Sequence, residues 1–432
     1  MGPLTIHWPD ADAERVEAAK GRLDVARGRL AARGEEDVLA VLGEVLDLWR
    51  DPASPWRRRL LEMHPAASGF SPEVVDAGLR LALADWSGEA FRRVVEAELG
   101  ALRRGGDRRL VPFASTSIVL AGAIPMPSLL QPLLSLALRS PVLLRPASRD
   151  PVTPRLLAES IGAVDPELGR AIEIVAFPAT DTGSLDRFLA AECVVASGSD
   201  ETIAALTSRT RPSQRVVAYG HRLSIAVVDA EAVEAGAASL ADAVALDVAL
   251  WDQLGCLSPV AVYVTGDHPI DAARTLAKAL AVSLAARAAA LPRGELDATT
   301  AATIAHERDA AAMRAAAGGD VTVHAGAGTD WTVIAEADAR WRPSPLHRFV
   351  RVHPVTRDEG LEHALRPVVR HLSSIALASR AGTGLAEVVA ALPASRVCAP
   401  GRLQAPPLDW PHDGRSLLAP LARLQSDERT SD

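Results

Sequence analysis

The chain has 432 residues, 48% of them hydrophobic and 23% charged, with a formal net charge of −8. That length suits two or three domains with substantial cores, and the composition is that of a soluble globular protein. The acidic balance excludes a global basic footprint for nucleic acid; short clusters such as Arg57-Arg58-Arg59 and Arg103-Arg104 read as solvated helix faces.

In chain order, the opening segment, Met1 to His7, lacks a long apolar stretch, so no secretory signal is expected. Apolar positions at helical spacing predict helices over 11–30 and 35–50. Ser71-Pro72-Glu73 reads as a helix start, with a serine cap and proline in the first turn. Residues 111–138 carry no charge, a length that spans a bilayer. Four prolines and a Ser-Thr-Ser run interrupt them, so a buried strand, a turn and a helix are expected instead of a membrane span. Strand-like runs follow at 117–120, 141–145, 172–175, 193–196 and 215–219, with helical stretches such as 128–140 and 153–162 between them. This alternation predicts a parallel α/β sheet. A second α/β unit is expected from Ser224, with strands at 260–264 and 331–334 and helices over 270–290 and 310–317. Residues 401–414 read as an ordered Pro-rich loop, and 426–432 as a frayed end.

The three cysteines, Cys193, Cys256 and Cys398, have no paired spacing. Neither a disulfide framework nor a zinc site is indicated, and a reducing cytoplasm is the expected compartment. His306-Glu307 lacks the second histidine of a zinc-protease helix, so no metal is expected. A phosphate loop, a serine nucleophile elbow and a G-x-G-x-x-G fingerprint are all missing.

Cys256 stands in Leu250-Trp251-Asp252-Gln253-Leu254-Gly255-Cys256-Leu257-Ser258-Pro259, a Gly-Cys turn between a helical run and a strand. Residue type alone favours an inert core thiol; the turn favours a nucleophile. Two arginines, Arg145 and Arg149, lie just past a strand in Arg145-Pro146-Ala147-Ser148-Arg149, where parallel sheets bind ligands and a guanidinium fork matches phosphate. Gly198 and Ser199 open a helix after a strand, either as an approach for a pyrophosphate or as an ordinary cap. His221 lies at the junction of the two α/β units, either structural or catalytic.

Taken together these segments resemble the aldehyde dehydrogenase superfamily, and most closely its acyl-CoA reductase (LuxC-type) branch. The resemblance runs over roughly 70–420. It rests on Ala121-Gly122-Ala123-Ile124-Pro125, Leu144-Arg145-Pro146-Ala147-Ser148, Ser197-Gly198-Ser199, Tyr219-Gly220-His221-Arg222-Leu223-Ser224 and the Cys256 turn. Further on, Ser344-Pro345-Leu346-His347-Arg348-Phe349, Ser395-Arg396-Val397-Cys398 and Pro406-Pro407-Leu408-Asp409-Trp410-Pro411-His412-Asp413-Gly414 match as well.

The resemblance implies an α/β, aldehyde dehydrogenase-like fold with two Rossmann-like parallel-sheet domains. It implies a helical N-terminal segment (1–105) packing on a cofactor-binding domain (106–222), a catalytic α/β domain (223–395), and a C-terminal segment (396–432) returning to the junction. It implies reduction of a fatty acyl thioester to an aldehyde, with Cys256 as nucleophile and His221 as its base. Ile124, Pro125, Arg145, Pro146, Ser148, Arg149, Gly198 and Ser199 would hold the cofactor. An acid common at the adenosine-ribose site is absent and two arginines stand there, so NADPH is expected over NADH. The donor is expected to be acyl-CoA, with an acyl-carrier protein as the alternative. Partner subunits such as an acyl-transferase or a synthetase are implied, and a silent binding subunit is a third reading. Aldehyde oxidisers carry a hydrolytic glutamate where this chain reads Ala218-Tyr219-Gly220-His221, which favours thiol exchange over acid formation. Ser128 is a candidate oxyanion donor. His412 and Asp413 would either touch substrate or form a structural turn. Only residues 105–111 separate the N-terminal helices from the first sheet, which leaves little room for an oligomerisation arm, so oligomeric state stays open.

Overall fold

The computed structural model describes residues 10–104, 108–356 and 360–426. The expectations for residues 1–7, for 427–432 and for the link at 105–107 lie outside them. Five helices open the chain: α1 (Ala13–Ala32), α2 (Glu35–Arg50), α3 (Pro55–Ser68), α4 (Pro72–Ala82) and α5 (Gly88–Arg103). The starts of α1, α4 and α5 follow from side chains that accept the first free amides, whereas α2 follows Gly34 with no side-chain cap. Asp12 accepts from the Arg15 amide, Ser71 from Val74 and Ser87 from Ala90. A short strand, β1 (Arg108–Leu110), comes next.

Two compact units then emerge. Of the described residues, the first holds those up to Ser68, those of Ala82–His221 and those from Pro407; the second holds Gly69–Leu81 and those of Arg222–Pro406.

The first unit is built on a five-stranded sheet of β2 (Thr116–Val119), β3 (Val142–Arg145), β4 (Ile172–Ile174), β5 (Cys193–Ser197) and β6 (Arg215–Tyr219). Its order is β4-β3-β2-β5-β6 and every pairing is parallel. The crossovers are α6 (Pro125–Ala137), α7 (Val152–Val164) with α8 (Pro166–Gly169), α9 (Thr182–Phe188) and α10 (Asp200–Thr207). Val16, Ala19 and Leu23 of α1 pack with Val119, Leu143, Val194 and Phe188 to cover one face. The helix expected over 128–140 sits three residues earlier. Pro125 supplies the φ of the first turn, and Arg139 ends the helix with φ 59°.

The second unit is a seven-stranded sheet. Its members are β7 (Leu223–Asp229), β8 (Pro259–Gly266), β9 (Val321–Ala325), β10 (Thr332–Glu336), β11 (Phe349–Thr356), β12 (Leu372–Ala378) and β13 (Arg396–Cys398), in the order β13-β12-β7-β8-β11-β10-β9. Only β9 runs antiparallel to its neighbour. Helices α11 (Ala230–Ala249) and α12 (Pro269–Ala290) cover one face, against Ala226, Val228, Val262 and Val264. The other face buries Ile225, Val227, Ala261 and Tyr263 beneath α14 (Leu361–Leu365) and α15 (Leu385–Ala390). Both faces of β7 and β8 are covered, which is why they read as unbroken apolar runs. Helix α13 (Ala298–Ala316) packs Ile304 and Ala311 on Ile334 and Phe349.

The last strand, β14 (Leu424–Ser426), returns to pair antiparallel with β1 as a separate two-stranded ribbon. No helix among the described residues is long and apolar enough to cross a membrane, and the uncharged stretch at 111–138 holds β2 and α6.

Candidate active site

Cys256 is exposed, at the tip of a turn that enters β8. The residues before it are locked. A 3₁₀ turn, Leu250–Gln253, is wholly buried, and Trp251, Asp252 and Gln253 all have positive φ (55°, 48° and 65°). Trp251 packs edge-on against Phe70 at 5.7 Å between ring centroids and lies over Gly78 of α4. The Asp252 carboxylate accepts from Arg348 and from the Gly294 amide (2.9 Å). Gln253 accepts from the Phe349 amide (2.8 Å) and donates to the carbonyls of Pro259 (2.8 Å) and Phe349 (3.0 Å).

The turn is also fixed from behind. The Ser224 hydroxyl at the start of β7 donates to the Cys256 carbonyl (2.7 Å) and accepts from the Ser374 amide of β12 (3.2 Å). The Ser258 amide donates to the Gly255 carbonyl (2.9 Å), and its hydroxyl accepts from Gln404 (3.0 Å). One sulfur is thus presented outward while its backbone is held on several sides, the arrangement a nucleophile needs. The other two thiols are unsuited. Burial pushes Cys193 up to about 12 and Cys398 up to about 11, which leaves almost no thiolate near neutral pH.

The residues expected to hold a cofactor collect at one edge of the first unit. Ile124 and Pro125 follow β2, Arg145 ends β3 with Pro146, Ser148 and Arg149 after it, and Gly198 and Ser199 follow β5. These three strands are neighbours, so all eight residues stand at the carboxyl edge where the strand order reverses. Ser148, Arg149 and Ser199 are exposed, Ile124, Arg145 and Gly198 half-buried, Pro125 and Pro146 buried.

Both arginines are already engaged. Arg145 donates Nε (3.2 Å) and Nη2 (3.0 Å) to the Phe177 carbonyl and stacks over the Phe177 ring. Arg149 donates Nε (3.1 Å) and Nη2 to the Ser68 carbonyl. Each fork is oriented by a carbonyl. Ser199 caps α10, accepting from the Thr202 amide (3.2 Å), and a Cβ on Gly198 would lie 3.1 Å from Thr202. Glycine is what lets that backbone approach its helix so closely.

Ser128 differs from expectation. It is buried and donates to Asp150 (2.6 Å), which removes it as an oxyanion donor.

His221 ends the first unit as an exposed residue, its amide held by Asp200 (2.8 Å). Nearby, His412 stacks on Tyr219 (4.7 Å between centroids) and leans on Trp410 (4.9 Å), so the Pro-rich loop is ordered by aromatic contact.

Sequence reasoning picked out the Cys256 turn but missed the roles of its supports, Ser224, Arg348 and Gln404. The first two stand inside segments already singled out; only the fold tells which backbone groups they meet. Asp247 was missed altogether. It lies buried on α11 and accepts the amides of Gly401 (2.7 Å) and Leu403 (3.0 Å).

Comparison with known proteins agrees with this architecture. A family model described as acyl-CoA reductase (LuxC) matches residues 30–424. The chain is 27% identical over 232 residues to a long-chain acyl-protein thioester reductase of Vibrio harveyi, an alignment covering 51% of this chain and 48% of that one. The chain therefore spans about half the length of the curated relatives it matches. Among solved structures it resembles a benzaldehyde dehydrogenase of Corynebacterium glutamicum (TM-score 0.71, 15% identity, 96% of this chain and 90% of that one). It also resembles an aldehyde dehydrogenase of Bacillus cereus solved with NAD+ (TM-score 0.70, 15% identity, 96% and 89% covered). At such identities the likeness is one of fold. With its family match running across nearly the whole chain, this protein belongs to the LuxC acyl-CoA reductase family, built on the aldehyde dehydrogenase fold.

Proposed function

We propose that the protein reduces an acyl thioester to an aldehyde through an S-acyl intermediate on Cys256. The observation that carries this reading is the exposed sulfur on a turn whose backbone is pinned by buried side chains. His221 is proposed to take the thiol proton. The thiolate then attacks the thioester carbonyl; the bond to the departing thiol breaks and that thiol leaves protonated. A reduced nicotinamide, when bound, supplies the hydride. With that hydride and one proton taken up from water, the S-acyl group would become a thiohemiacetal on Cys256; breaking its carbon–sulfur bond, with the hydroxyl proton passing to the sulfur, would free the aldehyde and return the thiol. Both additions build negative charge on the carbonyl oxygen, and amides of the Gly255–Cys256–Leu257 turn are the proposed donors to it.

The cofactor is proposed to bind at the carboxyl edge of the five-stranded sheet. The close-packed Gly198, the Ser199 hydroxyl at a helix N-terminus and the charges of Arg145 and Arg149 suit a dinucleotide there. The same arginines support NADPH over NADH, through charge more than through free hydrogen-bond donors. Acyl-CoA is the proposed donor. The names of the relatives favour a second reading, in which the acyl group arrives on a protein thiol and a transferase or synthetase partner supplies it.

Intact mass spectrometry tests the central step. Without cofactor, a long-chain acyl-CoA should add one acyl mass to the chain, and Cys256→Ala should abolish the adduct. Adding NADPH should discharge the adduct as aldehyde. An adduct on the acyl-protein substrate alone would select the second reading, and no adduct from any thioester would end the proposal.

A further inference from the structure

The proposed reaction leaves unused a cluster of buried polar groups next to the carboxyl edge of the first unit's sheet. Asp150 and His64 are both wholly buried, with His64 Nε2 3.6 Å from Asp150 Oδ1, and burial pushes the imidazole pKa down against the pull of the carboxylate. Asp150 Oδ2 accepts from the Ser128 hydroxyl (2.6 Å), and Oδ1 accepts from the Thr153 amide (3.0 Å). The His64 ring also faces the Ala123 backbone.

Three segments meet this carboxylate, and a fourth meets the His64 ring beside it. Ser128 stands in the first turn of α6, directly after Ile124 and Pro125; Thr153 opens α7. His64 belongs to α3, and Ala123 to the loop after β2. Asp150 itself closes the turn of Ser148 and Arg149, through a bridge to Ala147. Arg149 adds a second tie to α3 at Ser68. A buried carboxylate contributes little net stability, because its desolvation offsets its pairing. A hydrocarbon would fill the same space; it would not fix the register of four segments.

We propose that Asp150 and His64 are positioning residues that hold the Ile124–Pro125 loop and the Ser148–Arg149 turn in the arrangement that seats the dinucleotide. The inference rests on the reading of this edge as the cofactor site. Neither residue touches the reacting atoms, and Cys256 belongs to the other unit. Their loss therefore acts on cofactor affinity and spares the acylation step.

The test uses the full chain with Asp150→Asn, His64→Gln and the milder Ser128→Ala, which keeps the buried charge and removes one contact. Two quantities are read: the NADPH dissociation constant from nicotinamide fluorescence, and the rate of cofactor-free acylation of Cys256 by mass spectrometry. Asp150→Asn and His64→Gln should weaken NADPH tenfold or more, and Ser128→Ala severalfold, with acylation within twofold of the unaltered chain. NADPH affinity unchanged in the variants overturns the inference alone. Affinity and acylation falling together also overturn it, as general structural damage. An unaltered chain that acylates but binds no NADPH overturns both, and locates the fault in the reading of the edge.

Discussion

Asp252 Oδ1 accepts both Nε (3.0 Å) and Nη2 (2.6 Å) of Arg348, and through that pair two left-handed turns hold each other in place. Asp252 lies in the run 251–253; Arg348 ends the run Leu346, His347 and Arg348, with φ of 64°, 56° and 66°. A left-handed backbone at a non-glycine residue costs about 1–2 kcal/mol. Six such residues in two runs would not persist unaided. The guanidinium, Gln253 on both backbone groups of Phe349, and Arg348 Nη1 on the Leu291 carbonyl (2.8 Å) supply the restraint. The strain sits three residues before the thiol that is proposed to react.

Arg348→Ala should be severely destabilising. It leaves the Asp252 carboxylate buried with the Gly294 amide as its one remaining hydrogen bond and the half-buried Arg293 as its nearby charge, and breaking a buried pair from one side costs about 3–5 kcal/mol. Urea denaturation reads the loss, and a midpoint within error of the unaltered chain would contradict the account. The double variant Asp252→Asn with Arg348→Met removes both charges and should recover part of it.

Gly78→Ala separates helix propensity from packing. Alanine gains up to about 1 kcal/mol over glycine in a helix interior. Its Cβ would lie 2.2 Å from the Trp251 ring, however, and overpacking of a closed core costs about 1–3 kcal/mol. Packing should win, and the displaced Trp251 should loosen the turn behind it. Expected are a lower melting temperature and slower acylation of Cys256; a rise in melting temperature would show that the ring has room to move.

Alkylation should distinguish the three cysteines. Cys256 is exposed, whereas Cys193 is buried and held near 12 and Cys398 is half-buried and held near 11. One equivalent of iodoacetamide at pH 7.5 should give a single adduct, and peptide mapping should find it on Cys256. Label on Cys398 ahead of Cys256 would remove the present case for the nucleophile.

How far the sequence could be read depended on which forces left a local trace. Fully covered strands such as β5 and β7 announce themselves as apolar runs, and α2 as a periodic face with acids in its first turn. Strand β11 stayed hidden because it contains Arg351, His353 and Pro354, residues that ordinarily argue against a central strand. Only the fold shows that Arg351 is paired with Glu336 (2.9 Å) and Glu307 (2.6 Å), from β10 and α13. The same holds at the site. Cys256 could be found from its turn, but Arg348 lies 96 positions after Asp252. Arg145 and Arg149 read as free phosphate ligands because nothing local reveals the Phe177 and Ser68 carbonyls that orient them.

Asp247 links pH to the integrity of the segment behind the thiol. Its carboxyl accepts two amides from the 401–403 turn, and its carbonyl accepts Gln404 Nε2 (3.1 Å), the same nitrogen that donates to Ser258. Burial dominates those amides and the nearby Arg396 charge, and raises the carboxyl to about 7. A folded value above the unfolded one means that the native state binds the proton more tightly. The associated stability is complete below about pH 4 and drains away as pH rises to about 7, at up to about 1.4 kcal/mol per pH unit. Asp247→Asn cannot titrate, and its amide nitrogen faces one of the two backbone N–H groups. It should be less stable than the unaltered chain at pH 5, with the gap narrowing steadily toward pH 7.5 in urea denaturation. Parallel stability curves across that range would mean that Asp247 is charged throughout, its two amides having outweighed the loss of water.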